Sequence, residues 1–310
     1  MAARTDVLGG VLGGGPVRPR PAATVMVVRD GDHPVAPLEV LMLRRNIRSD
    51  FVAGAHVFPG GAVDPADGGD EAPAVCSGGD DATASALLGL DRGGLAYWVA
   101  AVRECFEEAG ILLALPASGG ALALDRREDA ERLATHRRAL NDGSESFVDL
   151  CRREGLHVPV DRIHYFAHWV TPEGLTRRYD TRFFVAAAPP GQVPTHDAAE
   201  TVAEVWVRPA DALALHRAGE MELILPTIRN LQAIGRFPTA SALLAAAAAV
   251  RQVPVVAPRM VVDSEGVRLL LPGDPGYTEL AAAQAVSPEA VAHATRAAAA
   301  RAIASEAEGR

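Results

Sequence analysis

Three glutamates stand close together in a stretch whose pattern predicts a helix. Glu104, Glu107 and Glu108 are three and four positions apart, so on a helix their carboxylates share one face. Like charges at this spacing repel, and a hard cation such as Mg²⁺, which prefers oxygen ligands and binds phosphates, would relieve the repulsion. Arg103 precedes Glu107 by four positions and could restrain a carboxylate. A solvated acidic face is the alternative interpretation.

The helix that carries these acids has an apolar stripe on its other side. From Leu95 to Ala109, apolar residues recur at spacings of three and four, which is typical of an amphipathic helix. Gly110 follows at the position of a C-terminal cap. Such a helix can be buried on one side while it presents carboxylates to a cleft.

The string RECFEEAGI, residues 103–111, resembles the helical half of the Nudix box, REUxEExGU with U aliphatic. Five fixed positions of this kind match by chance at roughly one in 10⁶ starting points. In the other half of the box, five residues separate a glycine from an acid, and Gly61 and Asp67 fit that spacing, with Asp in place of Glu. Arg103 lies far beyond the usual interval, so an insertion of about residues 70–95 splits the box.

A split box is typical of the coenzyme A diphosphatase branch of the Nudix hydrolases, the type known from mammalian peroxisomes. The chain resembles that branch over most of residues 22–275. Four blocks carry the resemblance: GAHVFPGGAVDPAD at 54–67, AVRECFEEAGILL at 101–113, TRRYDTRFF at 176–184 and GVRLLLPGD at 266–274.

The resemblance implies an enzyme that hydrolyses a nucleoside-linked diphosphate with Mg²⁺ or Mn²⁺ as cofactor. Water made more acidic by the metal would attack phosphorus. Arg103 would orient the first carboxylate, and Glu200 from a later loop is the candidate general base, with Glu204 as its rival. The implied metal ligands are the box carboxylates and a glycine backbone carbonyl, namely Glu104, Glu107, Glu108 and Gly61 or Gly60.

Basic and aromatic residues near the box are candidates for substrate binding. In TRRYDTRFF, charged residues alternate to one strand face and Tyr179, Thr181 and Phe183 to the other, so arginine would meet phosphate and an aromatic ring would stack on a base. An Arg–Asp–Arg ladder in solvent is the alternative. The predicted substrate-binding residues are Arg44, Arg48, Arg178, Asp180 and Arg182, with Arg45 beside the first two.

The expected substrate is coenzyme A or acyl-coenzyme A, cleaved to 3′,5′-ADP and 4′-phosphopantetheine or its acyl form. A short signature of coenzyme A-specific relatives places Gly54 correctly before Phe58, but Asp50 stands where that signature has arginine. ADP-ribose or NADH is therefore an alternative. A non-catalytic nucleotide sensor would commonly have lost box carboxylates, and isomerase chemistry needs residues that the pattern does not indicate.

Composition narrows the class of protein. The chain has 310 residues, a net charge of −9, 49% hydrophobic and 22% charged residues, which indicates a folded core and disfavours a nucleic-acid partner. Three cysteines without a CxxC pair argue against a disulfide framework or a cysteine zinc site. No apolar run is long enough to span a membrane, so a cytoplasmic location without a membrane partner is expected. A homodimer is compatible with the sequence.

Strand and helix patterns predict an α/β (α+β) class, a Nudix-type αβα sandwich with a mixed sheet and a helical C-terminal extension. The predicted units are a flexible arm at 1–20, a Nudix domain at 21–235 and an extension at 236–310 packed on it. The predicted strands are 22–29, 38–44, 163–170, 178–187 and 201–207, with a hairpin at 259–271. The predicted helices are 83–88 (weak, inside an inserted surface loop), 95–109, 126–140, 146–154, 209–218, 226–234, 239–250 and the tail after 279.

Overall fold

The computed structural model describes residues 17–47, 54–122, 126–175, 177–197, 199–263, 266–278 and 294–303. Most of the predicted arm, the hairpin turn at 264–265 and the predicted substrate residue Arg48 lie outside the described residues. In the described part of the chain, no helix is long and apolar enough to cross a membrane.

Thirteen strands and eight α-helices make up the described fold. The strands are β1 Arg20–Asp30, β2 Leu38–Arg45, β3 His56–Val57, β4 Gly60–Ala62, β5 Cys76–Ser77, β6 Leu115–Pro116, β7 Leu156–Pro159, β8 Ile163–Val170, β9 Tyr179–Ala187, β10 Thr201–Val207, β11 Val255–Val256, β12 Arg259–Asp263 and β13 Gly266–Leu270. The helices are α1 Asp81–Leu88, α2 Leu95–Ala109, α3 Arg127–Asn141, α4 Phe147–Glu154, α5 Pro209–Arg217, α6 Leu225–Ile234, α7 Ala240–Ala248 and α8, residues 294–303.

The central sheet is mixed and has the order β10-β2-β1-β9-β8-β11. β1 and β9 run parallel, while β1 is antiparallel to β2 and β4. β1 changes its neighbour on one side along its length, because residues 22–24 pair with β4 and residues 28–30 pair with β2. This change of neighbour leaves the first half of β1 next to a short glycine-rich strand instead of a long one.

Helices cover both faces of this sheet, which confirms the predicted αβα sandwich. Along β1, Val25 and Val27 belong to a core shared with α1–α4, while Met26 and Val28 belong to a core shared with α5–α8. A strand buried on both faces is a continuous apolar run, and this explains why TVMVV lacks the alternation of a half-exposed strand.

The C-terminal extension shares the second of these cores. Leu243 of α7, Leu269 of β13 and Ala302 of α8 are buried together with sheet residues. Gln232 Nε2 of α6 donates to the backbone oxygen of Ala302 at 2.8 Å, and this contact fixes the end of α8 to the sandwich. The described residues after 235 are therefore part of one packed unit with the sheet.

The prediction of an inserted surface loop near residues 70–95 is wrong in part. The predicted helix is present as α1, but the segment also has a 3₁₀ turn at Ala72–Val75 and strand β5, which pairs with β7. Val75 and Leu88 are buried in the first core. The sequence pattern does not predict this packing, because the buried residues of the segment are few and scattered among Asp, Gly and Ala.

The inserted segment caps the helix that carries the three glutamates. The Asp81 carboxylate accepts the backbone N–H groups of Gly93 at 2.8 Å and Leu95 at 3.0 Å, and Ser85 Oγ accepts that of Gly94 at 2.8 Å. The first N–H groups of a helix have no acceptor within the helix. The cap residue of α2, Gly94, has no side chain to accept them, so Asp81 and Ser85 do so instead. Partial burial opposes ionisation of Asp81, but these N–H groups lower its pKa.

We expect Asp81→Ala to reduce the free energy of unfolding by about 1–2 kcal/mol, because it removes a charged cap from the N-terminus of α2. Chemical denaturation followed by circular dichroism measures the change. Asp91→Ala, at an exposed position of the same segment, is the matched control and should stay within about 0.5 kcal/mol of the wild type. Equal stability of both variants would contradict the capping role.

Candidate active site

Helix α2 is held against the sheet by its aromatic and apolar face. Trp98 Nε1 donates to the backbone oxygen of Ile163 at 2.8 Å, and the Trp98 ring lies 4.7 Å from that of Phe184. The helix ends at Gly110, which has the left-handed conformation that glycine favours. This anchoring fixes the rotation of α2 and directs its last turns toward β4.

Two glycines of β4 bring the backbone close to the carboxylates of α2. The N–H of Gly60 donates to Glu108 Oε2 at 2.9 Å. A Cβ added at Gly61 would lie 2.5 Å from Glu104 Oε1, so a larger residue at this position would displace the carboxylate. The predicted neighbourhood of Gly61 and the box glutamates is therefore present in the fold.

Arg103 connects the two halves of the split motif. Its Nη1 donates to Glu104 Oε1 and to Glu107 Oε2, each at 2.9 Å. Its Nε and Nη2 donate to the two carboxylate oxygens of Asp67 at 2.8 and 2.9 Å, and Nη2 also donates to the backbone oxygen of Ala62. The prediction that Arg103 restrains a carboxylate of the helix agrees with this geometry.

Asp67 is a site residue whose contact the sequence did not predict. Its side chain is only 2% exposed and forms a two-pronged ion pair with Arg103, although the two are 36 positions apart in the sequence. Burial raises the pKa of Asp67, and the Arg103 guanidinium offsets part of that effect. Asp67 therefore lies beneath the helix despite the insertion. The sequence feature that pointed to Asp67 is its spacing from Gly61.

The glutamates have raised pKa values because they are crowded and withdrawn from water. Burial, with the charge of Glu104, raises the pKa of Glu108 to about 8. Burial also raises the pKa of Glu104 to about 7, with Arg103 opposing the shift and Glu107 adding to it. The pKa of Glu107 is raised as well, again first by burial. Carboxylates in this condition are stabilised by a nearby cation.

The donor set suits a hard divalent cation. Glu104 and Glu108 both border a cavity, together with Gly60 and Gly61 of β4. Carboxylate and backbone carbonyl oxygens are the ligands that such a cation prefers. No ready-made group of three His, Cys, Asp or Glu side chains is found in the described part of the chain, and Arg103 occupies an oxygen of Glu104 and of Glu107. Filling such a site would require these carboxylates to share their oxygens between Arg103 and the ion.

The cavity has a volume of about 720 Å³ and lies over the first half of β1. Its floor contains Thr24 of β1 and the Tyr179, Thr181 and Phe183 row of β9. The N-terminal end of α6 and parts of the C-terminal extension complete the wall. A space of this size is typical of a small-molecule site.

Glu200 borders the cavity and Glu204 is engaged elsewhere. The Glu200 side chain is 65% exposed, and its Oε2 lies 3.6 Å from Arg45 Nη2. Glu204 accepts the N–H of His196 at 3.2 Å and contacts His196 Nδ1 at 2.5 Å. Of the two acids weighed as general base, the structure thus brings Glu200 to the cavity.

Neighbouring arginines of β2 point in opposite directions. Arg45 borders the cavity, whereas Arg44 is exposed and is absent from the described cavity lining. Successive side chains of a strand point to opposite faces of the sheet, so only one of two adjacent arginines can face the cavity. The substrate-binding role predicted for Arg44 stays a prediction, and Arg45 is the better-placed residue.

The charged row of β9 lies on the sheet face opposite to the cavity. Arg182 forms an ion pair with Asp180 and its guanidinium lies over the Tyr97 ring of α2, while Asp180 Oδ1 is 2.5 Å from His168 Nε2. Arg178 donates to the backbone oxygens of Val17 and Thr171. These contacts join β9 to β8, to α2 and to the chain before β1. The substrate-binding role of Arg178, Asp180 and Arg182 stays a prediction.

A sequence model of the NUDT19 Nudix domain matches residues 91–234. The chain is 31% identical to the acyl-coenzyme A diphosphatase NUDT19 of Gallus gallus, in an alignment that covers 84% of this chain and 80% of that protein. This chain belongs to the Nudix hydrolase family. The corresponding protein of Homo sapiens is 30% identical over 86% of this chain and 82% of its own.

A solved structure has the same Nudix fold. The NUDIX hydrolase from Alicyclobacillus acidocaldarius superposes with a TM-score of 0.58 and 28% identity, and covers 77% of this chain and 99% of its own. The resemblance to the coenzyme A diphosphatase branch of the Nudix hydrolases, predicted from residues 54–67, 101–113, 176–184 and 266–274, is thus confirmed.

Asp67→Asn should lower the free energy of unfolding of this Nudix hydrolase by about 2–4 kcal/mol, because Arg103 loses the most deeply buried of its charged partners. Asp64→Asn is the matched control, since that side chain is 58% exposed and 3.7 Å from Arg103. It should change stability by less than about 1 kcal/mol. Urea unfolding curves decide between these outcomes, and two equal losses would show that the buried pair has no special role.

With a chelator present, the protein should lose stability as pH rises from about 5 to 9. The folded-state pKa values of Glu104 and Glu108, about 7 and about 8, lie above the ordinary value, so ionisation at high pH penalises the folded state. Thermal melts across this range measure the decline. The Glu104→Gln/Glu108→Gln double variant should show a flatter profile, and an unchanged slope in that variant would refute the assignment.

Proposed function

We propose that this Nudix hydrolase cleaves the diphosphate of coenzyme A or acyl-coenzyme A and releases 3′,5′-ADP and 4′-phosphopantetheine or its acyl form. The observation that carries the proposal is the likeness, over more than four-fifths of the chain, to proteins named acyl-coenzyme A diphosphatase. The retained Glu104, Glu107 and Glu108 support hydrolysis over a sensor role.

We infer that Mg²⁺ or Mn²⁺ is the cofactor and that Glu104, Glu107, Glu108 and the Gly61 backbone carbonyl hold it. The crowding of buried carboxylates beside the cavity supports this inference. When bound, a divalent cation neutralises diphosphate charge and makes water more acidic. Arg103 orients the carboxylates of Glu104 and Glu107 for that task, because its Nη1 donates a hydrogen bond to each.

The residues of the cavity wall have separate roles in this proposal. The Arg45 guanidinium attracts the anionic diphosphate toward Glu104 and Glu108. Glu200, partly solvated at the same wall, accepts a proton from the attacking water. A box glutamate with a raised pKa is the alternative base, and Glu108 is the one that the Gly60 N–H orients.

The expected partners follow from charge and from cavity size. A net charge of −9 and a cavity of about 720 Å³ favour a small nucleotide metabolite over a nucleic acid. A cytoplasmic location, the lack of a membrane partner and the homodimer remain predictions.

A substrate panel tests the proposal. With Mg²⁺, we expect coenzyme A and acetyl-coenzyme A to yield 3′,5′-ADP by mass spectrometry, with kcat/KM at least tenfold above that for ADP-ribose, NADH or a diadenosine polyphosphate. A preference for ADP-ribose or NADH would move the assignment to that substrate. Tight binding without turnover of any compound would favour the sensor alternative.

Variants of the same enzyme test the residue roles. Glu107→Gln and Glu108→Gln should each lower kcat by at least about 100-fold, because each loses a charged oxygen ligand for the cation. Glu200→Gln should lower kcat with little change in KM, because it removes the proposed base and leaves the substrate contacts in place. Glu131→Gln, at an exposed helix position with a 63% exposed side chain, is the control and should retain full activity.

A further inference from the structure

The cavity crosses the sheet from the carboxylates to the C-terminal extension. Its floor passes from β4 to β1, then to β9 and β8, since each of these strands pairs with the next. Three interstrand steps correspond to about 14 Å. Glu104 and Glu108 border the β4 end, so the β8 end is separated from the reacting diphosphate by roughly that distance.

The end over β8 is apolar. Trp169 of β8, Leu175 and Phe183 border the cavity and belong to the second core. Pro258 and Leu269 of the extension also line this cavity, and Leu269 is 4% exposed. These side chains form an apolar part of the lining, and Thr171 and Arg177 of the β8–β9 connection line the same cavity.

Polar groups lie between the two ends. Thr24 of β1 and Thr181 of β9 border the middle of the cavity, on strands that pair with each other. Hydroxyls can donate to and accept from amides. The wall therefore changes from carboxylates through hydroxyls to apolar side chains, and this order matches a substrate with a diphosphate, an amide-bearing arm and an apolar end.

We propose that the apolar end binds the acyl chain of an acyl-coenzyme A substrate and that the C-terminal extension sets acyl selectivity. This rests on the proposed function. The pantetheine arm has about twelve bonds between its diphosphate oxygen and its sulfur, the length of roughly four extended residues, or ~14 Å. A pantetheine arm of this length would place the thioester at the apolar end when the diphosphate lies beside Glu104 and Glu108.

Thr295 of α8 is the residue through which the extension can be tested. It borders the cavity and is half-buried, while its neighbour Arg296 on the same helix is exposed. Of the described residues, Arg296 is not among those that line the cavity. A large side chain at Thr295 would occupy the space for the acyl group and leave Glu104, Glu108 and Arg45 untouched.

The experiment compares Thr295→Phe with Arg296→Phe in the full-length enzyme with Mg²⁺. The substrates are free coenzyme A and octanoyl-coenzyme A. In Thr295→Phe, kcat/KM for octanoyl-coenzyme A should fall at least tenfold relative to that for free coenzyme A, because the apolar burial of several methylenes is lost. Arg296→Phe should keep the wild-type ratio. If Thr295→Phe does not fold, Thr295→Asp, which makes the end polar, should give the same selective loss.

The outcomes separate the two proposals. An unchanged substrate ratio in a folded Thr295 variant, or an equal fall for both substrates, overturns the acyl site and leaves the diphosphatase proposal standing. A selective loss in Arg296→Phe as well also overturns it. If the wild-type enzyme cleaves neither coenzyme A species, the proposed function fails and the acyl site fails with it.

Discussion

The buried guanidinium of Arg103 is the interaction on which the site depends. A charge withdrawn from water is tolerated only when its donors are paired, and Arg103 pairs with Asp67, Glu104, Glu107 and a backbone oxygen. These partners come from the strand–turn region on one side of the insertion and from α2 on the other. The pairing therefore fixes the orientation of the helix, and that orientation sets the positions of the carboxylates.

The insertion leaves this pairing intact, since Arg103 still bonds to Asp67 on one side of it and to Glu104 and Glu107 on the other. The insertion joins α2 at Gly93 and Gly94. Asp81 and Ser85 of its helix α1 accept hydrogen bonds from the N–H groups at the start of α2. A segment that would otherwise lengthen a loop thus stabilises the start of the helix. Its buried residues extend the first core instead of lying in solvent.

Glycine and the change of strand partners bring α2 and the cavity together. The helix packs mainly on one face of the sheet, whereas the cavity floor belongs to the other. Glu104 and Glu108 reach the cavity beside β4, where the absence of a Cβ at Gly61 gives room for a carboxylate. The same half of β1 then continues toward β9 and β8, so a single cavity connects charged and apolar walls.

The sequence determined the family, the sandwich and the box glutamates, because short spacings within one helix fix which side chains share a face. Most predicted helices and strands are present within a few residues of their expected limits. Strands β3, β4, β5, β6, β7 and β11 were not predicted, since two to four residues carry too little periodicity. Only the tertiary structure decided that Arg45 borders the cavity, that Asp67 lies under Arg103 and that the charged row of β9 faces α2. The physical reason is that these placements depend on which strand face is covered by which layer, a long-range outcome that residue spacing alone does not contain.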